Sequence, residues 1–108
     1  MADRSTQFSQ AGFESALNTA FAVAPGTGGI DPVALRLVEV AARSAPPGFE
    51  QFSVLLVGPA SPVMPQGTYR LVHEALGELD LFMVPVGRTG AGIEYEICIT
   101  RDARGESA

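Results

Sequence analysis

Any catalytic or metal chemistry in this chain would have to be built around one histidine, His73, and one cysteine, Cys98. His73 lies in TYRLVHEAL, where Tyr69, Leu71 and His73 stand at i, i+2 and i+4 and so share one face of a strand. A zinc site there would need companions. With no second histidine it would have to be made mostly of carboxylates. A general base would need a nucleophile or an orienting acid, and Glu74, its neighbour, points to the opposite face. We therefore read His73 as structural, a histidine at the end of a barrel that is hydrogen-bonded to backbone. The competing reading is a small-ligand or enzyme-like pocket at the barrel end, built from Gln66, Tyr69, His73 and an acid. Cys98 falls on the polar face of a strand, with no cationic neighbour in sequence to stabilise a thiolate, and reads as a small half-buried residue.

Three other patterns bear on function. The glycines of GTGG, residues 26–29, suggest a phosphate loop, but such a loop places a lysine on the phosphates and the chain has none. It reads as a turn. Glu78 and Asp80 form one alternating pair of carboxylates and Glu94 and Glu96 another. If their strands are neighbours, four acids share a surface where a divalent cation is conceivable, though a solvated face is the simpler reading. Finally, Phe82, Val84 and Val86 lie on the side of their strand opposite Leu79, Leu81 and Met83. Either the N-terminal segment covers this outer apolar half or another protein chain does.

The bulk composition narrows the field. A chain of 108 residues is one domain's worth, and 46% hydrophobic against 18% charged residues gives enough apolar material for one core. The net charge is −5, and all seven basic residues are arginines scattered along the chain. Phosphate recognition needs a basic patch, so neither nucleic acid nor an anionic membrane surface is an expected partner. No apolar run reaches the ~18 residues of a membrane helix. The stretch MADRSTQFSQAGF has no apolar core of a secretory signal, which points to the cytoplasm. A lone cysteine closes no internal disulfide, so the core and hydrogen bonds must hold the fold.

The elements that would position these residues are mostly strands. Residues 1–12 read as a flexible N-terminus, 13–101 as a single β domain and 102–108 as a flexible tail. Phe13, Leu17 and Phe21 suit a short helical turn that leads into a strand ending at Val23. APGTGGIDP is a loop. In DPVALRLVEVAARSA, Asp31-Pro32 would start a helix well, but the β-branched content favours strand. The apolar phase flips between Leu37 and Val38, as a β-bulge requires. QFSVLLVGP reads as a strand covered on both faces. Residues 65–87 read as a hairpin turned at Ala75-Leu76-Gly77. Pro85 belongs at an edge, a bulge or a strand end, and Val86-Gly87 suggests that the strand is finishing. IEYEICIT alternates cleanly, with Ile93, Tyr95, Ile97 and Ile99 on one face. Five or six strands with mostly short connections predict an all-β fold, a small antiparallel barrel or two-layer sandwich in a meander.

Phe52, Ser53, Gly58, Pro59, Pro65, Gln66, Gly67, Tyr69, Leu71, His73, Leu76, Gly77, Leu81, Phe82, Val84, Pro85, Gly87, Tyr95 and Glu96 together carry a resemblance. The pattern P-Q-G-x-Y-x-L-x-H-x-x-L-G followed by L-F-x-V-P-V-G resembles a family of small bacterial proteins filed as a domain of unknown function. The match spans residues 52 to 97 and extends more loosely back to Phe13. It implies a compact all-β domain, and a place beside phage-tail-like or collar-type genes, hence a role in assembling or decorating a larger particle. With no catalytic, cofactor-binding or metal-binding residue assigned, we expect no cofactor and no enzymatic activity. The expected function is that of an interaction and assembly module, binding a protein partner or itself through Phe82, Val84 and Val86.

Overall fold

The structure, a computed structural model, describes residues 9–24, 33–61 and 63–102. Among the described residues one short helix, α1 (Gln10–Ser15), precedes six strands: β1 (Ala20–Val23), β2 (Ala34–Arg43), β3 (Phe49–Gly58), β4 (Gly67–His73), β5 (Gly77–Thr89) and β6 (Gly92–Asp102). The GTGG segment and the tail 103–108 lie outside the described residues. α1 begins at Gln10, ahead of the expected boundary at Phe13, because Ser9 caps it. The Ser9 hydroxyl accepts the Gly12 N–H at 3.0 Å, and Glu50 Oε1 accepts the Gln10 N–H at 3.1 Å.

All neighbouring strands are antiparallel, and the sheet closes on itself in the order β1-β2-β3-β6-β5-β4. The expected all-β antiparallel fold is therefore present, as a barrel rather than a sandwich. The chain does not run round it as one meander. It forms two three-stranded meanders, β1-β2-β3 and β4-β5-β6, joined where β3 meets β6 and where β1 meets β4. The connection 59–66 carries the chain across one barrel end instead of turning it back beside β3.

Alternation builds the interior. Phe52, Val54 and Leu56 of β3 stand directly opposite Ile99, Ile97 and Tyr95 of β6, and all six are buried. Leu79, Leu81 and Met83 of β5 face the same core. On the outer side of β3, Leu55 and Val57 are only half-buried, so this strand is not covered on both faces as its apolar run suggested. A barrel has no second layer to cover it, and only neighbouring side chains shade its outside.

Both irregularities read from the sequence are bulges. In β2, Leu37 pairs with Leu56 and Glu39 with Leu55, leaving Val38 extra. That shift turns Val40 inward opposite Val54. In β5, Pro85 pairs with Tyr95 and Gly87 with Glu94, leaving Val86 extra. The strand does not finish there. It continues to Thr89, because the bulge accommodates the missing proline N–H and pairing resumes at Gly87–Glu94.

The two barrel ends are sealed differently. At one end α1 inserts Phe13, which stacks on Phe21 with ring centroids 6.2 Å apart and tilts against Phe52 at 5.8 Å. At the other, the 59–66 connection inserts Met64, whose N–H donates to the buried Tyr95 hydroxyl at 2.9 Å. The Tyr69 hydroxyl donates to the Pro65 carbonyl beside it. Among the described residues no helix is long and apolar enough to cross a membrane.

Backbone approaches at the Met64 end demand glycine. Gly92 has φ +136°, and a Cβ there would run into the Gly58 carbonyl oxygen. A Cβ on Gly58 would lie 2.5 Å from Leu35 Cδ2. Gly92→Ala should therefore destabilise the fold by about 2 kcal/mol or more in a denaturant titration. Gly90→Ala, two residues earlier in open space, should stay within about 0.5 kcal/mol of the parent. Equal midpoints for the two variants would contradict this account.

Candidate functional site

His73 ends β4, and Gly77, at φ +81°, opens β5 opposite it. The residues between them form the predicted tight turn. Its backbone donors need acceptors, and the histidine supplies one: Nδ1 accepts the N–H of Ala75 at 2.9 Å and that of Leu76 at 3.1 Å. A nitrogen facing two donors carries no proton, so the hydrogen resides on Nε2. Nε2 lies 2.8 Å from the Thr19 hydroxyl, which in turn donates to the Ala16 carbonyl. The imidazole packs on Phe21 with ring centroids 4.4 Å apart and is buried. Both ring nitrogens are thus occupied by a chain of hydrogen bonds running from the β4–β5 turn to the end of α1. The expected backbone partnership is present, and Thr19 extends it.

The other residues of the competing pocket do not gather round His73. Tyr69 is four residues earlier on β4, about 13 Å along the strand, and its hydroxyl is engaged with Pro65 at the Met64 end. Burial pushes the Tyr69 phenol above its ordinary range, and neighbouring Tyr95 adds to the effect, which keeps it a donor. Gln66 is exposed. Among the described residues no group of three or more His, Cys, Asp or Glu side chains is placed to hold a metal ion.

The four carboxylates also separate. Although β5 and β6 are neighbours, Glu78 and Asp80 lie opposite Val72 and Arg70 of β4, whereas Glu96 lies opposite Val84 and Glu94 opposite Gly87. The length of β5 keeps the two pairs apart. Arg70 grips Asp80 with Nε–Oδ1 at 2.9 Å and Nη2–Oδ2 at 3.1 Å, and this hydrogen-bonded fork holds the Asp80 carboxyl below the usual range. Glu96 is 3.4 Å from Arg43. Cys98 is exposed on the outer face of β6.

The outer apolar residues are where the alternation placed them. Phe82 is 53% and Val86 50% exposed, and Val84 is half-buried. Thr68 of β4 flanks Phe82 on one side and Glu96 of β6 flanks Val84 on the other. α1 packs against β2 and β3 instead and does not cover this stripe. A further concavity, a groove of about 400 Å³, opens on the outside of β1, β2 and β3 between Ala20, Ala34, Arg36, Val38, Val57 and Pro59. No single stretch of sequence announced it, because its walls come from three strands and a connection.

A closed six-stranded barrel, sealed at its ends by Phe13 and Met64 and carrying loose apolar residues outside, defines a compact β domain. Residues 8–99 match the family model of the Domain of unknown function (DUF6916), and the chain belongs to that family. No curated protein and no solved structure matches it.

A structural histidine makes a measurable demand. Replacing it by alanine strands two backbone N–H groups and the Thr19 hydroxyl, so His73→Ala should lower stability by about 2–4 kcal/mol in urea. Thr19→Val should cost about 1–2 kcal/mol, and the double variant should cost less than the sum. Additive losses would mean that the pair does not act as one network.

Proposed function

We propose that the protein is a non-enzymatic interaction and assembly module that docks a protein partner through the outer face of β5. The observation that carries this reading is the stripe Phe82–Val84–Val86. Two of its three side chains are at least half exposed, the stripe is continuous across a bulge, and α1 seals the barrel without reaching it. Apolar surface left contiguous on a domain of this size marks an interface. The state of the polar groups points the same way: His73, Tyr69 and Tyr95 are committed to closing the barrel.

The finer reading, an accessory of a phage-tail-like or collar-type particle, is supported by the resemblance of residues 52 to 97. A cytoplasmic site of action goes with it. No observation favours the pocket of Gln66, Tyr69 and His73, whose members stand apart along β4 and the preceding connection.

The test is affinity purification from the native host with mass spectrometry, run in parallel with Phe82→Glu. A charge at the centre of a desolvated interface should weaken partner binding tenfold or more, about 1.4 kcal/mol at least. The melting temperature should be unchanged, because the side chain is outside the core. Undiminished recovery of the same partner by the variant would remove the β5 face from consideration.

A further inference from the structure

The described arginines are nearly all engaged. Arg43 meets Glu96, Arg70 meets Asp80, Arg101 meets Glu50, and Arg88 donates to the Ala60 carbonyl. Arg36 alone among them has no hydrogen-bonded or ionic partner. It stands in the groove between β1, β2 and β3, whose other walls are alanine, valine, leucine, glycine and proline. In a chain of net charge −5, a lone guanidinium in apolar surroundings is a recognition feature for a carboxylate.

The register supplies that carboxylate. Arg36 of β2 pairs with Val57 of β3, and Val57 pairs with Glu94 of β6. Directly paired residues point to the same side of a sheet, so cation, valine and anion form one outward row. Adjacent strands are ~4.8 Å apart, so the two charged positions lie under ~10 Å from each other across the curved outside of the barrel, with Val57 between them. Glu94 has no ionic partner among the described residues either. Gly87 leaves room beside it: Glu94 Oε1 lies 3.2 Å from where a Cβ on Gly87 would be.

A row of plus, apolar, minus is complementary to itself when turned about its centre. We propose that the outer face of β2, β3 and β6 is a two-fold self-association surface, in which Arg36 of each copy pairs with Glu94 of the other across facing Val57 side chains. A two-fold axis along β3 lays β6 of one copy against β2 of the other, and the groove beside Arg36 receives the second copy's Glu94 side chain. Because each copy presents both members of the pair, the contact is reciprocal and closes at two chains. This surface adjoins the β5 stripe only at its Val86–Gly87 end, and Phe82 at the other end stays free for a different partner.

The interface is small and its ion pairs are near solvent, so the dimer is weak and salt-sensitive, with Kd between about 1 μM and about 1 mM. Sedimentation velocity on the full chain should show concentration-dependent dimers that dissociate at about 1 M salt, where the screening length falls to ~3 Å. Arg36→Glu and Glu94→Arg should each weaken self-association by roughly tenfold or more, since each puts like charges face to face. Mixed in equal amounts, the two variants should regain a dimer, because every contact in the mixed pair is again opposite in sign. An ion pair closing within one chain would give no such recovery. Phe82→Glu should dimerise as the parent does, which separates this surface from the β5 docking face. A parent that stays a monomer up to about 1 mM, a mixture that stays monomeric, or a mixture that grows beyond two chains would overturn the proposal.

Discussion

The barrel closes at a seam only two residue pairs long. β1 meets β4 through Ala22–Val72 and Val23–Leu71, whereas the opposite seam, β3 against β6, runs unbroken from Phe49–Asp102 to Gly58–Ile93. Each backbone pair contributes a small net stabilisation, so the short seam is where the ring would open first. Its flanks are reinforced by other means. On one side the Ala24 N–H reaches the Arg70 carbonyl at 2.8 Å. On the other, the ladder gives way to the Thr19–His73 hydrogen bond and the contact of His73 with Phe21. The histidine thus serves two neighbours at once, tying the β4–β5 turn and holding β1 to β4. An aliphatic residue there could fill the space but could not accept from the turn and donate to Thr19.

The features legible in the sequence are those that local pattern encodes. The flip of apolar phase at Leu37–Val38 announced a bulge, because strand periodicity leaves no other way to keep the core side apolar, whereas Pro85 left an edge, a bulge and a strand end open and only the register makes it a bulge. Gly77 announced its hairpin. The partner of β3 was not legible. A continuous apolar run such as FSVLLVG specifies burial but not which strand lies beside it, and the connection 59–66 is too long to force a hairpin and too short for a crossover helix. The carboxylates were separated by register instead: β5 and β6 are neighbours, but their pairing starts beyond Asp80, at Val84.

The candidate site was legible in part for the same reason. The outward placement of Phe82, Val84 and Val86 follows from period two and survives any choice of neighbour. The partnership of His73 with Thr19 joins positions far apart in the chain through a side chain whose type carries no strong signal. The seal by Met64 and Tyr95 depends on where the 59–66 connection lands. The groove at Arg36 requires three strands in register before it exists.

A small closed barrel divides its residues between a filled interior and an outer face. Its interior is filled by the large side chains of six strands, and both its ends must be sealed or the core would be wet. Here the sealing engages the histidine, both tyrosines and the serine that caps α1. On the outer surface some charges meet in cross-strand pairs such as Arg70–Asp80 and Arg43–Glu96. Beside those pairs the outer surface carries an apolar stripe on β5, and a cation and an anion on either side of Val57. In a domain of this construction register decides which side chains stand together on each outer strand face, and so what that face presents.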